Sequence, residues 1–377
     1  MEAGQRVADV ASSYAVNNPQ VTAAAALAAL LFAGLIIAVV RRQLQTPADR
    51  FLRALADADE ISVLMHPNPD PDAMACALAV EELADHVGTD AVPQYPGQIR
   101  HQENRAFRTV LDLDIERIDH AAQLRDDVVL VDHNEPRGFS GAASVEPYAV
   151  VDHHPGGGTG ERFTDVRENY GACATLLAGY LDERGWEPDG GELHLDTELA
   201  TALVYGIQSD TTNLTRGCSL REFDACAYLY PASDADLLDR VANPEVDAEV
   251  LDVRARAIDN RVVDAPYLLS NVGTVDNVDA IAQAADDLVR LEGVTVAVVH
   301  GEHDGTLHLS GRSRDDRVHI GDALDAAVEA VQGGSAGGHA RMGGGQVPLT
   351  ATVGGPGPEA IREELDDRLF EAMNGSA

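Results

Sequence analysis

Apolar residues along this chain come in short runs separated by stretches of helical spacing. Phe51, Leu52 and Leu55 fall on one face, predicting a short amphipathic helix within 43–60. Residues 61–65 then read as a buried strand, and 128–131 and 148–151 read the same way. Helical spacing runs through 73–83, 172–181 and 197–207. Such alternation implies βαβ units and a mostly parallel sheet. The polar, helical stretch 243–264 reads as a connector. Beyond it the pattern restarts, with strands expected at 294–299, 306–309 and 347–353 and helices at 320–331 and 359–373. The expected architecture is α/β: a segment 1–42, a domain 43–242 with a mostly parallel sheet, and a smaller α/β domain 265–377. A ligand cleft is expected between the two domains.

The segment 1–42 changes the picture. Residues 21–40 read VTAAAALAALLFAGLIIAVV, and no charge occurs from Val10 to Val40. A run of that length spans about 30 Å as a helix. Arg41, Arg42, Arg50 and Arg53 follow it, whereas Glu2, Arg6 and Asp9 precede it. The pattern predicts a single transmembrane helix at 21–40, with the cell membrane as location and the folded domains in the cytoplasm. A cleaved signal peptide would carry its positive charge before the apolar run instead.

Charge alters what partners the composition allows. The chain has 63 acidic residues against 27 basic ones, a formal net charge of -36, and every basic residue is Arg. Acid spread over the whole length, with Lys absent, fits a protein from a salt-loving organism. In molar salt the Debye length is about 3 Å, so net charge does not exclude a nucleic-acid ligand and local arginines decide. Cys76, Cys173, Cys218 and Cys226 form no C-x-x-C pair and read as small buried hydrophobes. The single tryptophan, Trp186, lies beside a turn and is expected at a surface edge.

Candidate chemistry lies just past the expected strand ends. His66, Asp70 and Asp72 share one loop, HPNPDPD, held extended by Pro67, Pro69 and Pro71. Asp132 follows the second strand, Asp152, His153 and His154 follow the third, and Asp210 follows a helix. That edge is where open α/β sheets bind ligands. Singly, each has a plainer reading as a turn or cap residue. Together they offer carboxylates and imidazoles for two cations, with Mn²⁺ preferred and Mg²⁺ or Co²⁺ as alternatives. Two such ions about 3.5–4 Å apart suit water attack on phosphorus. In the second half, Arg312 offers a fork for phosphate, and the glycine-rich stretch 333–345, with His339 and Arg341 embedded, exposes backbone N–H groups.

The four segments HPNPDPD, VDHN at 131–134, VDHHP at 151–155 and GIQSDTTN at 206–213 resemble the motifs of the DHH phosphoesterase family. SGRS at 310–313 and GGH at 337–339 resemble its DHH-associated C-terminal domain. The resemblance covers about residues 50–372. It implies that His66 and Asp70 bind one metal, that Asp72, His153 and Asp210 bind the other, and that Asp132 bridges them. It further implies that His154 faces the substrate phosphate and that Asp152 orients a ligand, so that His154, Asp132 and Asp152 form the catalytic group. Arg312, Ser313, Gly337, Gly338, His339 and Arg341 would bind substrate. Where family members follow GGH with small residues, this chain has Ala340, Arg341, Met342 and Gly343.

The implied function is a Mn²⁺-dependent phosphoesterase acting on short oligoribonucleotides or 3′-phosphoadenosine 5′-phosphate. The alternative is a membrane-anchored cyclic-di-AMP phosphodiesterase, and a different class is a catalytically silent nucleotide sensor. The pyrophosphatase branch carries another C-terminal domain. Besides nucleotide, the expected partners are the membrane, through the N-terminal helix, and a second copy of the chain.

Overall fold

The computed structural model describes residues 45–188, 190–329, 331, 333–349 and 357–375, with the isolated positions Gln20, Leu27 and Phe32. The chain divides into two compact units, Met1–Pro244 and Glu245–Ala377.

The first unit opens with helix α1 (Pro47–Ala56), whose start is closed by a reciprocal capping box between Thr46 and Asp49. The order then runs β1 (Glu60–Leu64), α2 (Pro71–Val87), β2 (Asp90–Pro96), α3 (Gln102–Val110), β3 (Glu116–Ile118), β4 (Asp127–Val131), β5 (Ala149–Asp152) and β6 (Phe163–Val166). Helix α4 (Cys173–Arg184), the two-residue strands β7 (Trp186–Glu187) and β8 (Leu193–His194), α5 (Thr197–Asp210), α6 (Leu220–Leu229) and α7 (Ala235–Ala242) complete it.

Six strands form one all-parallel sheet in the order β3-β2-β1-β4-β5-β6. Side chains alternate across it, as period-two geometry requires. Ile61, Val63, Val129, Val131, Ala149 and Val151 enter the main core with the helices, while Leu64, Val128, Leu130 and Val150 face a smaller cluster on the other side. Helix α2 is buried over most of its circumference, and its small residues Ala73, Ala75, Cys76, Ala77 and Ala79 allow that close packing.

The strand order reverses between β1 and β4. This topological switch point is where carboxyl-end loops splay apart and leave room for a ligand. His66 follows β1 and Asp132 follows β4, so the switch point carries the candidate chemistry.

The second unit contains α8 (Ala248–Asp259), β9 (Arg261–Asp264), β10 (Tyr267–Thr274), α9 (Asp279–Leu288), β11 (Val296–His303), β12 (Thr306–Ser313), α10 (Ile320–Val328), β13 (Ser335–Gly338), β14 (Met342–Pro348) and α11 (Pro358–Met373). Its sheet order is β13-β14-β12-β11-β10-β9, and among these pairings only β10 with β11 is parallel. One face packs on α8 and α9 and the other on α10 and α11.

Several expectations need correction. Among the described residues no helix is long and apolar enough to cross a membrane. A span needs about 20 consecutive apolar residues. The longest described helix, α2, has 17 and carries Asp72, Glu81, Glu82 and Asp85. The transmembrane helix, and with it the single-pass membrane location and membrane partner, is therefore withdrawn. Of residues 21–40, where it was expected, all but Leu27 and Phe32 lie outside the described residues. The stretch expected as a connector supplies α8 and β9, and Val250, Val253 and Ala257 enter the second unit's core. Trp186 is buried, with its indole N–H donating to Glu82 at 3.0 Å and its ring against His86. The glycine-rich stretch holds β13 and the first four residues of β14, which pair antiparallel.

Candidate metal centre

His66 lies two residues past β1, with its Nδ1 donating to the Pro67 carbonyl at 3.0 Å. A carbonyl can only accept, so this bond puts the proton on Nδ1 and leaves Nε2 for the site. Nε2 lies 3.4 Å from both Asp70 Oδ2 and Asp132 Oδ2. Asp70 is the N-cap of α2, with Oδ1 accepting from the Ala73 amide. Its other oxygen is free for the site.

Asp72, the second residue of α2, is fully buried. Its Oδ2 accepts from the Cys173 amide at 2.7 Å and its Oδ1 from the Ala174 amide at 2.8 Å. It thereby caps α4, whose own N-cap position, Ala172, offers no side-chain acceptor. Asp132 sits in the left-handed region with φ of 59°, uncommon for a non-glycine residue. That turn swings its carboxylate off the end of β4 and under the site, where it is 1% exposed.

His153 donates from Nδ1 to the Tyr170 carbonyl at 3.1 Å. Its Nε2 lies 3.2 Å from Asp132 Oδ1, 3.2 Å from Asp210 Oδ2 and 3.9 Å from Asp72 Oδ2. Asp210 is the last residue of α5. A carboxylate at that negative end of the helix dipole is locally unfavourable, which marks a position held for another reason. His154 is half exposed and donates from Nδ1 to Asp152 Oδ1 at 2.9 Å. The same Oδ1 accepts from the amides of His153 and His154, and Asp152 Oδ2 accepts from Asn134 Nδ2 at 2.6 Å.

Three groups of ligand atoms result, each with its members within 4.8 Å of one another: His66, Asp70 and Asp132; Asp72, Asp132, His153 and Asp210; and Asp132, His153 and His154. Asp132 belongs to all three.

So many carboxylates at close range need positive charge. Burial pushes Asp72 well above the usual carboxylate range, reinforced by Asp132 and Asp210. Burial also opposes charging of His66 and His153, yet the facing carboxylates win. Asp132 and Asp70 push His66 to about 11, and Asp132 and Asp210 push His153 to about 12. Burial disfavours the charge of Asp132 as well, but both imidazoles hold its carboxyl far below the ordinary range. Asp132 Oδ1 and His153 Nε2 are buried and find no hydrogen-bond partner among the described residues. Orphaned polar atoms converging between oxygens and imidazole nitrogens are the donor set of a divalent cation.

Cation binding has to displace these protons. Mn²⁺ affinity is therefore expected to rise with pH, with proton release at neutral pH. Calorimetry in buffers of different ionisation enthalpy checks this; equal heats in all buffers would contradict it.

His133, next to Asp132, points elsewhere. It donates to the Val131 carbonyl at 2.8 Å and is buried, which lowers its pKa to about 4 and keeps it neutral. Sequence reasoning passed over Asn134 and Tyr170, whose contributions are a hydrogen bond and a backbone carbonyl. The asparagine follows VDH directly, but nothing in its type foretells a bond to Asp152. Asp152→Asn is expected to cut turnover by about 10–100-fold, because an amide cannot accept from every donor that now orients His154. Steady-state kinetics at saturating Mn²⁺ tests it.

In the second unit, Arg312 forms a two-pronged pair with Asp286, at 2.5 Å and 3.2 Å, and also reaches Ser310. Ser313 Oγ is engaged by Asp315. Gly337 and Gly338 lie on β13, and the loop after it carries His339 and Arg341, the latter paired with Asp316.

The N-terminal domain model of the DHH family matches residues 60–207, and the DHHA1 domain model matches 264–371. This chain belongs to the DHH phosphoesterase family. An uncharacterized protein of Methanocaldococcus jannaschii, MJ1633, is 34% identical over 308 residues, covering 81% of this chain and 62% of its own length. The cyclic-di-AMP phosphodiesterase GdpP of Geobacillus thermodenitrificans is 26% identical over 335 residues, covering 83% of this chain and 48% of its own length. A probable manganese-dependent inorganic pyrophosphatase of Bacillus licheniformis is 27% identical over 215 residues, covering 56% of this chain and 64% of its own length. This DHH protein thus spans about half to two thirds of these relatives. The named activities, a cyclic-di-AMP phosphodiesterase and a manganese-dependent inorganic pyrophosphatase, are those of the relatives, and the residues of this chain that could hold a divalent metal are the three ligand groups above.

Proposed function

We propose that this DHH protein is a Mn²⁺-dependent phosphoesterase that holds two ions and hydrolyses short oligoribonucleotides or 3′-phosphoadenosine 5′-phosphate. The observation that carries this reading is the sharing of Asp132 between two ligand groups. His66, Asp70 and Asp132 would hold one ion, and Asp72, Asp132, His153 and Asp210 the other. When bound, such ions activate water and neutralise phosphate charge. The chain's own residues do the rest. Fixed acceptors on Nδ1 of His66 and His153 aim each Nε2 inward. Asp152 accepts from His154 Nδ1 and raises the basicity of the ring, so that as imidazolium it would donate from Nε2 to a phosphate oxygen. Asp70 keeps one oxygen on its helix cap and presents the other.

Arg312, Ser313, Gly337, Gly338, His339 and Arg341 are proposed to contact substrate. The DHHA1 match over this region supports that assignment; both prongs of the Arg312 fork pair with Asp286, so a substrate phosphate would have to compete with that carboxylate. Whether the chain works as a homodimer is part of the same proposal.

The match to GdpP over 83% of the chain favours a second reading, cyclic-di-AMP hydrolysis. The silent-sensor reading draws no support from a site whose ligand set is filled.

The test is a panel of a ribodinucleotide, 3′-phosphoadenosine 5′-phosphate, cyclic di-AMP and pyrophosphate, with Mn²⁺ in molar KCl. The first two are expected to turn over fastest. Preference for cyclic di-AMP would establish the second reading. Hydrolysis of pyrophosphate alone would overturn both, and the lack of stoichiometric bound Mn²⁺, with no turnover, would revive the sensor.

A further inference from the structure

Glu222 is a fully buried carboxylate that none of the metal motifs includes. It lies at the third position of α6 and closes a capping box with Ser219: its side chain accepts from the Ser219 amide, and Ser219 Oγ accepts from the helix. That accounts for one oxygen. The other, Oε1, accepts from the amide of Gly171 at 2.8 Å, in a loop 51 residues away.

The Gly171 N–H belongs to the same peptide group as the Tyr170 carbonyl, and that carbonyl accepts the Nδ1 proton of His153. The two bonds use opposite ends of one peptide plane. A continuous line therefore runs from the Glu222 carboxylate through the Tyr170–Gly171 peptide to the His153 imidazole, whose Nε2 faces Asp72, Asp132 and Asp210. An anion on the N–H end polarises the peptide and makes its carbonyl a stronger acceptor. A stronger acceptor on Nδ1 fixes the ring and raises the basicity of Nε2, as a carboxylate placed directly on a ligating histidine does.

Two further observations show that the peptide is gripped rather than incidentally placed. A Cβ on Gly171 would lie 2.5 Å from the Gly217 carbonyl oxygen and 2.9 Å from Thr211, so only glycine brings this loop against the segment that follows Asp210. Arg221, beside Glu222, lays its guanidinium 5.0 Å from the centre of the Tyr170 ring. The first turn of α6 thus holds Tyr170 by its ring and Gly171 by its amide. Burial opposes charge on Glu222, but the amides of Gly171 and Ser219 hold its carboxyl below the ordinary range.

We propose that Glu222 is a positioning residue for His153, acting through the Tyr170–Gly171 peptide to orient the imidazole and strengthen it as a metal donor. The proposal rests on the reading of His153 as a metal ligand.

The test is Mn²⁺ binding to the full chain, followed by the electron paramagnetic resonance of free Mn²⁺, together with the Mn²⁺ dependence of turnover. Glu222→Gln keeps the shape but removes the anion. It is expected to weaken Mn²⁺ binding by about 10–100-fold and to recover most of kcat at saturating Mn²⁺. Ser219→Ala is the control, since it weakens the same helix cap yet leaves Glu222 on Gly171. It is expected to shift Mn²⁺ affinity by less than about threefold, because it leaves the ligand's orienting bonds in place. Glu222→Asp, which keeps the charge with a shorter reach, should fall between wild type and Glu222→Gln, and it stands in if Glu222→Gln does not fold.

Unchanged Mn²⁺ affinity in the Glu222 variants overturns the relay alone. Equal losses in Ser219→Ala and Glu222→Gln overturn it too, by reducing Glu222 to a helix cap. Failure of the wild type to bind Mn²⁺ overturns the metal reading itself and the relay with it.

Discussion

Asp132→Ala is expected to lower turnover by at least about 10³-fold, equivalent to roughly 4 kcal/mol of transition-state stabilisation. Asp132 is the one residue common to all three ligand groups, so its loss removes a donor from both proposed ions at once. No neighbour can substitute. In the proposed arrangement Asp70 and Asp72 each serve one ion already, and both are held in place, Asp70 by the Ala73 amide and Asp72 by the first amides of α4. Asp132 is also buried, so alanine leaves a gap between His66 and His153 that a flexible side chain cannot fill. Two readouts check the prediction: single-turnover rates with Mn²⁺, and bound Mn²⁺ per chain, expected to fall below two. Full activity in this variant would remove the two-ion mechanism.

The second large effect concerns stability and its dependence on metal. Asp72→Asn is expected to abolish most of the stabilisation that Mn²⁺ confers on the wild type. At a free concentration 100 times the dissociation constant that stabilisation is about 2.7 kcal/mol. Two forces act on Asp72 in opposite directions. Amides of α4 hold it from one side, while burial and the charges of Asp132 and Asp210 press against its ionised form. Cations resolve the conflict by neutralising the cluster, so the wild type gains from them. The amide variant carries less repulsion and binds cations poorly. Its metal-free stability is expected to stay close to that of the wild type, because relief of repulsion offsets the poorer cap. Urea denaturation with and without chelator measures both quantities. An equal Mn²⁺ increment in the two proteins would show that Asp72 is not a ligand.

Much of the site was legible because its residues lie where backbone rules concentrate them. Strands β1, β4 and β5 end at an acidic or histidine position within two residues, and a parallel sheet gathers such ends at one edge. HPNPDPD shows its purpose in its spacing, since three prolines restrict the loop and Asp70 caps the helix that follows. Other parts of the first unit were not legible. Strand β2 carries prolines at both Pro93 and Pro96, which hides its apolar pattern. Strand β6 alternates weakly, and residues 102–110 show little apolar spacing because α3 buries only Asn104 and Phe107 fully. The apolar run at 21–40 misled in the opposite way: composition alone suggested a membrane span, and no described helix supports one.

The sequence by itself determined the chemistry: which carboxylates and imidazoles are present, the strand and helix ends that carry them, and the kinship that joins them. Only the tertiary structure decided how they divide the work. That Asp132 is shared among the ligand groups follows from its left-handed turn beneath the switch point. That Asp72 caps α4, a helix beginning 101 residues later, and that Glu222 reaches His153 through one peptide follow from packing between segments far apart in sequence. The physical reason is the same in each case. Residue type and local spacing set what a side chain can donate or accept, but the identity of its partner depends on which distant backbone groups burial brings within hydrogen-bonding distance.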